Sequence, residues 1–243
     1  MLYGPPSYAF YVEPMSTGTA VFWMGGDVTD QETWMSTADA AGAKTGSDID
    51  LSTTTFDLIN DIAAHDDVFA IVHGRSNNGN NNATLLGQRN PAGALVGSEL
   101  TIESSIGGSA GIAWSGDRYG VAWRHQQGTA IQVTFATYST TPARLSTPLV
   151  LAAAPAGGDV LSSAVAWTGQ DFVVAWILQD NVMNLTLQYA RIPAGGMPGA
   201  TTTVMGARGP LYLTAVGGDG GALLMWTNSG DEGGSFAAVC PTP

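Results

Sequence analysis

The chain has 243 residues, 44% of them hydrophobic and only 12% charged, which is enough apolar material for one large core. Its formal net charge of −12 and its single lysine, Lys44, argue against nucleic acids and anionic membrane surfaces, because phosphate groups are bound by clustered Lys and Arg. No apolar run reaches the roughly 18 residues of a membrane-spanning helix, and a lone cysteine, Cys240, excludes an intrachain disulfide.

The composition favours strands and turns over helices. There are 32 glycines, and Thr, Ser, Val and Ala are plentiful. The arginines are scattered without forming a basic run, and the acidity is interpreted as a source of solubility, with a calcium-binding face as the alternative. Cys240 is expected to be a small core residue.

Five large side chains recur at nearly constant spacing. They are Trp23, His73, Trp123, Trp176 and Trp226, which lie 50, 50, 53 and 50 residues apart. Each of these anchors ends a short apolar run: AVFW, FAIVH, GVAW, VVAW and LLMW. A period of this length predicts a solenoid, a propeller or an array.

Taken in chain order, the predicted elements repeat the same set of short strands. Unit one, residues 5–54, contains YAFYV, AVFW, ETWMSTA and DIDLS. Unit two, 55–105, contains LINDIAA, FAIVH, ATLLGQR and ELTIE. Unit three, 106–154, contains AGIAW, GVAW, IQVTFATY and TPLVL, and unit four, 155–206, contains SAVAW, VVAW, LTLQYARI and TTTVM. Unit five, 207–243, has LYLTAV, LLMW and SFAAVC and no fourth strand.

Four antiparallel strands repeated five times predict an all-β, five-bladed β-propeller that spans residues 1–243 as one domain. Neighbouring blades cover both faces of each sheet, which explains why the strands are apolar runs. The anchors, together with Trp114 and Trp167, are therefore predicted to be packing residues. His73 occupies a Trp position and is predicted to be a core histidine with a hydrogen-bond partner.

The fifth unit needs a fourth strand from elsewhere. Leu2 lies two repeats before Ile102, which is in the fourth strand of unit two. We therefore predict that residues 1–4 pair with the strand around Val239 and Cys240 and close the ring. The alternative is that the chain is a piece of a longer protein with further blades.

Residues 113–123 and 166–176 share the pattern A-W-[ST]-G-x-x-[YF]-x-V-A-W. This pattern resembles a repeat of exported bacterial proteins, notably of myxobacterial type, and LQYARIPAGG at 187–196 is similar to the same repeats. The resemblance covers units three and four well and the other units loosely. It implies a propeller and an extracellular or cell-surface setting, and it transfers no catalytic residues.

No hydrolase, metalloprotease or nucleotide-binding motif is present. AHDD at 64–67 contains metal-ligating residue types, but it aligns with SGDR and TGQD and is predicted to be a hairpin turn. The acidic segments 27–32 and 229–234 lack the spacing of a dedicated calcium loop. No cofactor is therefore predicted.

The stretches that follow the anchors differ most between units, and they are predicted to be long polar loops between the second and third strands. Divergent loops on a repeated scaffold are typical places for binding sites. The candidate ligand-binding residues are Asp27, Asp30, Asn78, His125, Gln126, Asp180, Asn181 and Asp231. Their alternative interpretation is solvated turns.

These observations favour a noncatalytic binding propeller that recognises a protein or a glycan partner. The differences among the five loops favour a protein partner or a single site over five-fold glycan binding. A structural subunit of a surface assembly is not separated from this reading by sequence. A second alternative is a propeller glycoside hydrolase, which needs two carboxylates; the inner strands offer Glu13 and Asp61.

Overall fold

The structure is a computed structural model that describes residues 10–27, 30–52, 57–77, 80–194, 196–205, 207, 209–228 and 233–240. Every regular element in these ranges is a β-strand. They contain no helix that is long and apolar enough to cross a bilayer. The chain forms two compact units, Met1–Gly108 and Ser109–Pro243, and the boundary falls at the start of the third sequence repeat.

The first compact unit contains two four-stranded antiparallel sheets with the strands in chain order. Blade one consists of β1 (Phe10–Met15), β2 (Gly18–Asp27), β3 (Asp30–Asp39) and β4 (Lys44–Asp50). Blade two consists of β5 (Asp57–His65), β6 (Val68–Asn77), β7 (Asn80–Arg89) and β8 (Leu100–Glu103).

The second compact unit contains the other three sheets. Blade three consists of β9 (Ala110–Trp114), β10 (Tyr119–Gln127), β11 (Ala130–Tyr138) and β12 (Leu149–Ala153). Blade four consists of β13 (Asp159–Trp167), β14 (Asp171–Gln179), β15 (Leu185–Pro193) and β16 (Thr202–Thr203). Blade five consists of β17 (Pro210–Gly218), β18 (Gly221–Asn228) and β19 (Gly234–Val239).

The five sheets are the blades of a five-bladed β-propeller, as the repeat predicts. Blade five has three strands within the described residues. Residues 1–4, which are predicted to supply its fourth strand, lie outside the described residues. That prediction therefore stays a prediction.

Each blade has two faces, because side chains alternate along a strand. We call the face that carries the anchor residue the anchor face and the opposite one the back face. The back face of blade one packs on the anchor face of blade two, where the rings of Phe22 and Phe69 lie 5.1 Å apart. Blade three packs on blade four in the same way, with Phe135 and Phe172 rings 5.4 Å apart.

The anchors Trp123, Trp176 and Trp226 are buried, and Trp23 is half-buried. This confirms that they are packing residues. Cys240, by contrast, is exposed, so its prediction as a core residue is wrong. It follows Val239, the buried last residue of β19, and because side chains alternate along a strand the next position faces outward.

Hydrogen bonds at the repeat spacing join the first strands of successive blades within each compact unit. Tyr11 Oη donates to the carbonyl of Asn60 at 2.7 Å. The turn after β5 is the predicted two-residue hairpin, because Asp66 and Asp67 have φ values of 46° and 59°. The Asp67 carboxylate accepts a hydrogen bond from the main-chain N–H of Ser16, 2.6 Å away, and thereby ties the first turns of blades one and two.

Blade five approaches blade four so closely that backbone touches backbone. A Cβ on Gly217 would lie 1.9 Å from the carbonyl oxygen of Trp167. The N–H of Gly220, in the same hairpin, donates to the carbonyl of Thr168 at 2.8 Å. The adjacent Gly218 has nothing within 4 Å of an added Cβ.

We therefore expect Gly217→Ala to lower the free energy of unfolding by about 1–3 kcal/mol, because overpacking forces the sheets apart. The corresponding loss in melting temperature is roughly 2–12 °C for a domain of this size. Gly218→Ala is the matched control, since it adds the same methyl group to open space and should leave the melting temperature almost unchanged. Equal shifts in calorimetric melts of the two variants would contradict this account of the contact.

Candidate functional site

The structure places several predicted ligand-binding residues in strands rather than in long loops. β2 runs to Asp27 and β3 begins at Asp30, and the two residues pair across the hairpin. His125 and Gln126 lie within β10 and pair with β11. The prediction of long loops is wrong at these positions, because backbone ladder hydrogen bonds extend a hairpin whatever the polarity of its side chains.

Asp180 and Asn181 do lie in a loop, at 180–184. The Asp180 carboxylate accepts hydrogen bonds from the main-chain N–H groups of Val182 (2.9 Å) and Asn184 (2.8 Å). It also accepts one from the Asn184 side-chain amide at 2.7 Å, and this bond is the largest cause that lowers the pKa of Asp180. The carboxylate thus holds its own turn together.

Asn78 and Asp231 lie outside the described residues. Where the chain is described, it contains no cluster of three or more His, Cys, Asp or Glu side chains that could hold a metal ion. The ligand-binding role of the eight residues therefore stays a prediction.

A polar cleft lies at the opposite end of blade four, where β14 begins and β15 ends. Its volume is about 360 Å³. Asp171 is the first residue of β14, and Tyr189 and Arg191 lie on β15. Arg191 pairs with Val173, so the side chains of Asp171, Tyr189 and Arg191 share the back face of the blade. The remaining lining residues are Pro193, Met197, Gly199, Ala200 and Thr202.

Arg191 organises this cleft. Its Nη1 lies 3.3 Å from Oδ2 of Asp171, and both side chains are largely buried. Its Nη2 donates to the main-chain carbonyls of Val239 (3.4 Å) and Cys240, at the end of β19. The guanidinium therefore joins blade four to blade five and fixes the position of the Asp171 carboxylate.

The cleft presents a mixed set of groups to a ligand. Among the contacts of the described residues, the Asp171 carboxylate bonds to Arg191 through Oδ2, which leaves Oδ1 as an acceptor. Tyr189 is half-buried and contributes an aromatic ring, and Thr202, which pairs with it from β16, contributes a hydroxyl. Met197 is exposed and adds an apolar wall. The arrangement suits a ligand that has both hydroxyl groups and an apolar face.

Among the described blades, only blade four has both an arginine and an aspartate at these two positions of the cleft. The Arg191 position is Thr37, Gln88, Thr137 and Ala238 in the other blades. The Asp171 position is Gly18, Val68, Arg118 and Gly221 in the same order. The cleft is therefore a single site that the five-fold repeat does not multiply.

Sequence reasoning missed this cleft. The signal was weak, because an arginine in the third strand, as in LTLQYARI, also occurs in ATLLGQR of unit two. The TGQD segment predicts for Asp171 only a place in a turn. Their meeting depends on strand register, which brings the start of β14 beside the end of β15.

His73 is buried in a charged cluster of blade two, as its prediction as a core histidine required. Its Nε2 lies 3.2 Å from Oε1 of Glu99, and Arg75 Nη2 donates to Oε2 at 2.9 Å. These partners, with the His73 hydrogen bond as the largest cause, lower the pKa of Glu99 to about 2. The adjoining cavity of about 20 Å³ has room for a water molecule and not for a substrate.

Glu13 and Asp61 lie on the adjacent strands β1 and β5. Burial raises the pKa of Glu13 to about 7, although a hydrogen bond from the main chain of Ala64 acts in the opposite direction. Asp61 accepts a hydrogen bond from the main-chain N–H of Ile62 at 3.0 Å. Glu13 therefore has the protonation behaviour of a general acid, while facing the junction between two blades.

Comparisons with known proteins find the fold but no family. No protein-family model matches the chain, and no curated protein sequence matches it. Among solved structures, the Aleuria aurantia lectin in complex with α-methyl-L-fucoside is similar with a TM-score of 0.53 at 12% identity. That match covers 97% of this chain and 79% of the lectin.

Two further similar structures carry glycoside hydrolase names. A putative glycoside hydrolase from Parabacteroides distasonis matches with a TM-score of 0.52 at 9% identity, over 96% of this chain and 86% of that one. An α-L-arabinofuranosidase from Podospora anserina, in complex with cellotriose, matches with a TM-score of 0.51 at 10% identity, over 96% and 90%. At these identities the likeness shows the β-propeller fold alone.

Proposed function

We propose that the protein is a noncatalytic, glycan-binding β-propeller and that the blade-four cleft is its sugar site. The observation that carries the proposal is the combination of a carboxylate oxygen, a guanidinium, a hydroxyl and an aromatic ring around one cleft. The fold is shared with a lectin bound to a fucoside and with glycoside hydrolases, which supports a glycan-related role. The repeat pattern further supports an exported or cell-surface setting.

The chemistry of the cleft fits a neutral sugar. Sugar hydroxyls can donate to Oδ1 of Asp171 and accept from the Arg191 side of the cleft, while the C–H face of a sugar ring packs on Tyr189. The formal charge of −12 disfavours anionic glycans at long range. A volume of about 360 Å³ is at the small end of ligand sites and matches one or two sugar rings.

We expect the wild-type protein to bind a subset of neutral glycans on an array, and Asp171→Asn to weaken that binding at least ten-fold. The substitution replaces a charged acceptor, whose hydrogen bonds are worth about 1.5–3 kcal/mol each. Titration calorimetry with the best glycan gives the dissociation constants.

Asp159→Asn is the matched control for this experiment. Asp159 also pairs with an arginine between two blades, since it accepts hydrogen bonds from Arg124 at 2.7 and 2.9 Å, but it does not line the cleft. The Asp159→Asn substitution should change the dissociation constant for the glycan less than two-fold. Equal losses in the two variants would assign the effect to blade packing, and a wild-type protein that binds no glycan would refute the proposal.

Hydrolysis is the second candidate function, and one observation favours it. Glu13 has a pKa of about 7, and its strand β1 contacts β5, which carries Asp61, so the two carboxylates that a glycosidase needs are present on neighbouring strands. We nevertheless expect no release of reducing sugar from a glycan panel, because Glu13 is bonded to the main chain inside a blade junction. Release that disappears in Glu13→Gln would establish the hydrolase instead.

The raised pKa of Glu13 also predicts the pH dependence of stability. The folded-state pKa, about 7, exceeds the usual value of 4.5, so stability falls as the pH rises through this interval. The free energy of unfolding of Glu13→Gln, relative to that of wild type, should therefore be about 1 kcal/mol higher at pH 8 than at pH 4.5. This figure is reduced from the full effect of the pKa shift because Glu13 is partly exposed to solvent.

Thermal melts of the two proteins across pH 4–8 measure this difference. Glu99→Gln provides a comparison of opposite sign, because the pKa of Glu99 is lowered to about 2. Its ionised carboxylate stabilises the fold above about pH 4.5, so the cost of this substitution should shrink as the pH falls toward 2. Parallel melting curves for wild type and Glu13→Gln would contradict the raised pKa.

A further inference from the structure

The cleft of blade four has a polar side and an apolar side, which come from different parts of the chain. The polar side consists of side chains on β14, β15 and β16, which are Asp171, Tyr189, Arg191 and Thr202. The apolar side consists of Pro193, the last residue of β15, with Met197 and Ala200 from the segment that leads to β16. Between residues 194 and 200 the sequence is AGGMPGA, which contains no hydroxyl, amide or charged side chain.

Main-chain hydrogen bonds hold the apolar side beside β15. The N–H of Gly196 donates to the carbonyl of Pro193 at 3.0 Å, and the N–H of Gly199 donates to the carbonyl of Arg191 at 2.8 Å. A Cβ on Gly196 would lie 3.1 Å from Cβ of Pro193, so the segment folds back closely over the proline ring. Met197, between the two glycines, is 76% exposed, so a ligand in the cleft can cover its apolar surface.

A similar turn follows the third strand in blades one and two. The N–H of Gly42 donates to the carbonyl of Asp39 at 2.9 Å, and the N–H of Gly93 donates to the carbonyl of Asn90 at 2.8 Å. In both turns a side-chain oxygen of the first residue also accepts hydrogen bonds from main-chain N–H groups of the turn. A polar first residue therefore stabilises the turn in these two blades.

Blade four has larger or apolar residues at two positions of this turn. Pro193 is the first residue, and its side chain has no group that could form the hydrogen bonds of Asp39 or Asn90. Met197 is the fifth residue, whose counterparts in the first three blades are all alanines: Ala43, Ala94 and Ala143. Both changes occur in the blade that carries the arginine and the aspartate of the cleft, so the apolar side belongs to the same site.

The apolar side determines which group of a sugar can lie against it. Most hexoses carry a hydroxymethyl group on C5, and its hydroxyl would lose water beside Met197 and Pro193 without meeting a polar side chain there. The N–H groups of Gly196 and Gly199 do not compensate, because main-chain carbonyls already accept their hydrogen bonds. A 6-deoxyhexose has a methyl group in place of the hydroxymethyl group, and burial of a methyl group between apolar side chains is favourable.

We propose that the cleft selects 6-deoxyhexoses over hexoses that keep the hydroxymethyl group. The methyl group packs on Met197 and Pro193, while a ring hydroxyl donates to Oδ1 of Asp171. This inference rests on the proposed function, because it specifies the ligand of the same cleft. An N-acetylated sugar also carries a methyl group, but its amide adds a donor and an acceptor that the side chains of the apolar side do not satisfy.

The test compares methyl glycosides in matched pairs: L-fucoside with L-galactoside, L-rhamnoside with L-mannoside, and D-quinovoside with D-glucoside. The two members of a pair differ only in having a methyl or a hydroxymethyl group on C5. Titration calorimetry gives their dissociation constants. We expect the 6-deoxy member of at least one pair to bind roughly 10- to 100-fold more tightly, which is the range over which an apolar pocket rejects an added hydroxyl.

Three variants separate the two sides of the cleft. Met197→Gln keeps the length of the side chain and adds an amide that can bond to the extra hydroxyl, so the preference within the pair should fall about three-fold or more. Asp171→Asn should weaken both members of the pair and leave the preference between them unchanged. Met205→Gln is the matched control, because Met205 is 88% exposed and does not line the cleft, and it should change neither constant.

The outcomes distinguish this inference from the proposed function. Binding of neutral glycans on the array without a 6-deoxy preference in any pair overturns the inference and leaves the sugar site in place. Tighter binding of N-acetylated sugars than of 6-deoxyhexoses has the same consequence. A preference that Met197→Gln leaves intact also overturns the inference, because the selection then arises elsewhere. A protein that binds no glycan at all refutes the proposed function itself.

Discussion

The contact on which the fold depends is the direct approach of one sheet to the next at the first strands of the blades. At Gly111 and Gly217 a Cβ would overlap the backbone of the neighbouring blade, so these strands meet without side chains between them. The space between two blades then widens away from these strands, and large residues such as Phe22, Phe172 and Trp176 fill it. Close approach on one side and bulky anchors on the other both follow from the same wedge-shaped gap.

In the second compact unit, two arginine–aspartate contacts act as ties between neighbouring blades. Arg124 and Asp159 form a closed pair with two hydrogen bonds. Arg191 contacts Asp171 through one nitrogen and uses another for the carbonyls that end β19. In the second arrangement Oδ1 of Asp171 remains available as a hydrogen-bond acceptor beside Tyr189. Because of this difference, the contact between Arg191 and Asp171 can hold two blades together and also offer an acceptor to a ligand.

The sequence was sufficient for the architecture because the repeat encodes it. Anchors, hairpin turns and four-strand units all emerged from a period of about 50 residues, and the burial of Trp123 and His73 followed from their place in it. The cleft was not accessible in the same way, because Asp171 and Arg191 meet through cross-strand register and neither belongs to a motif. The sequence predicts loops at the ends of the hairpins, because the residues there are polar. Polar residues indicate exposure to solvent, but the backbone hydrogen bonds of a strand ladder form whatever the polarity of the side chains.

A repeat protein can acquire a function at one position without losing the packing that the repeat encodes. Substitution within a blade changes side chains on a backbone that its neighbours already hold, as at Asp171, Tyr189 and Arg191, and so creates one site without altering the packing rule. Changes at Asp171 and Tyr189 should therefore alter ligand choice more than they alter the packing between blades.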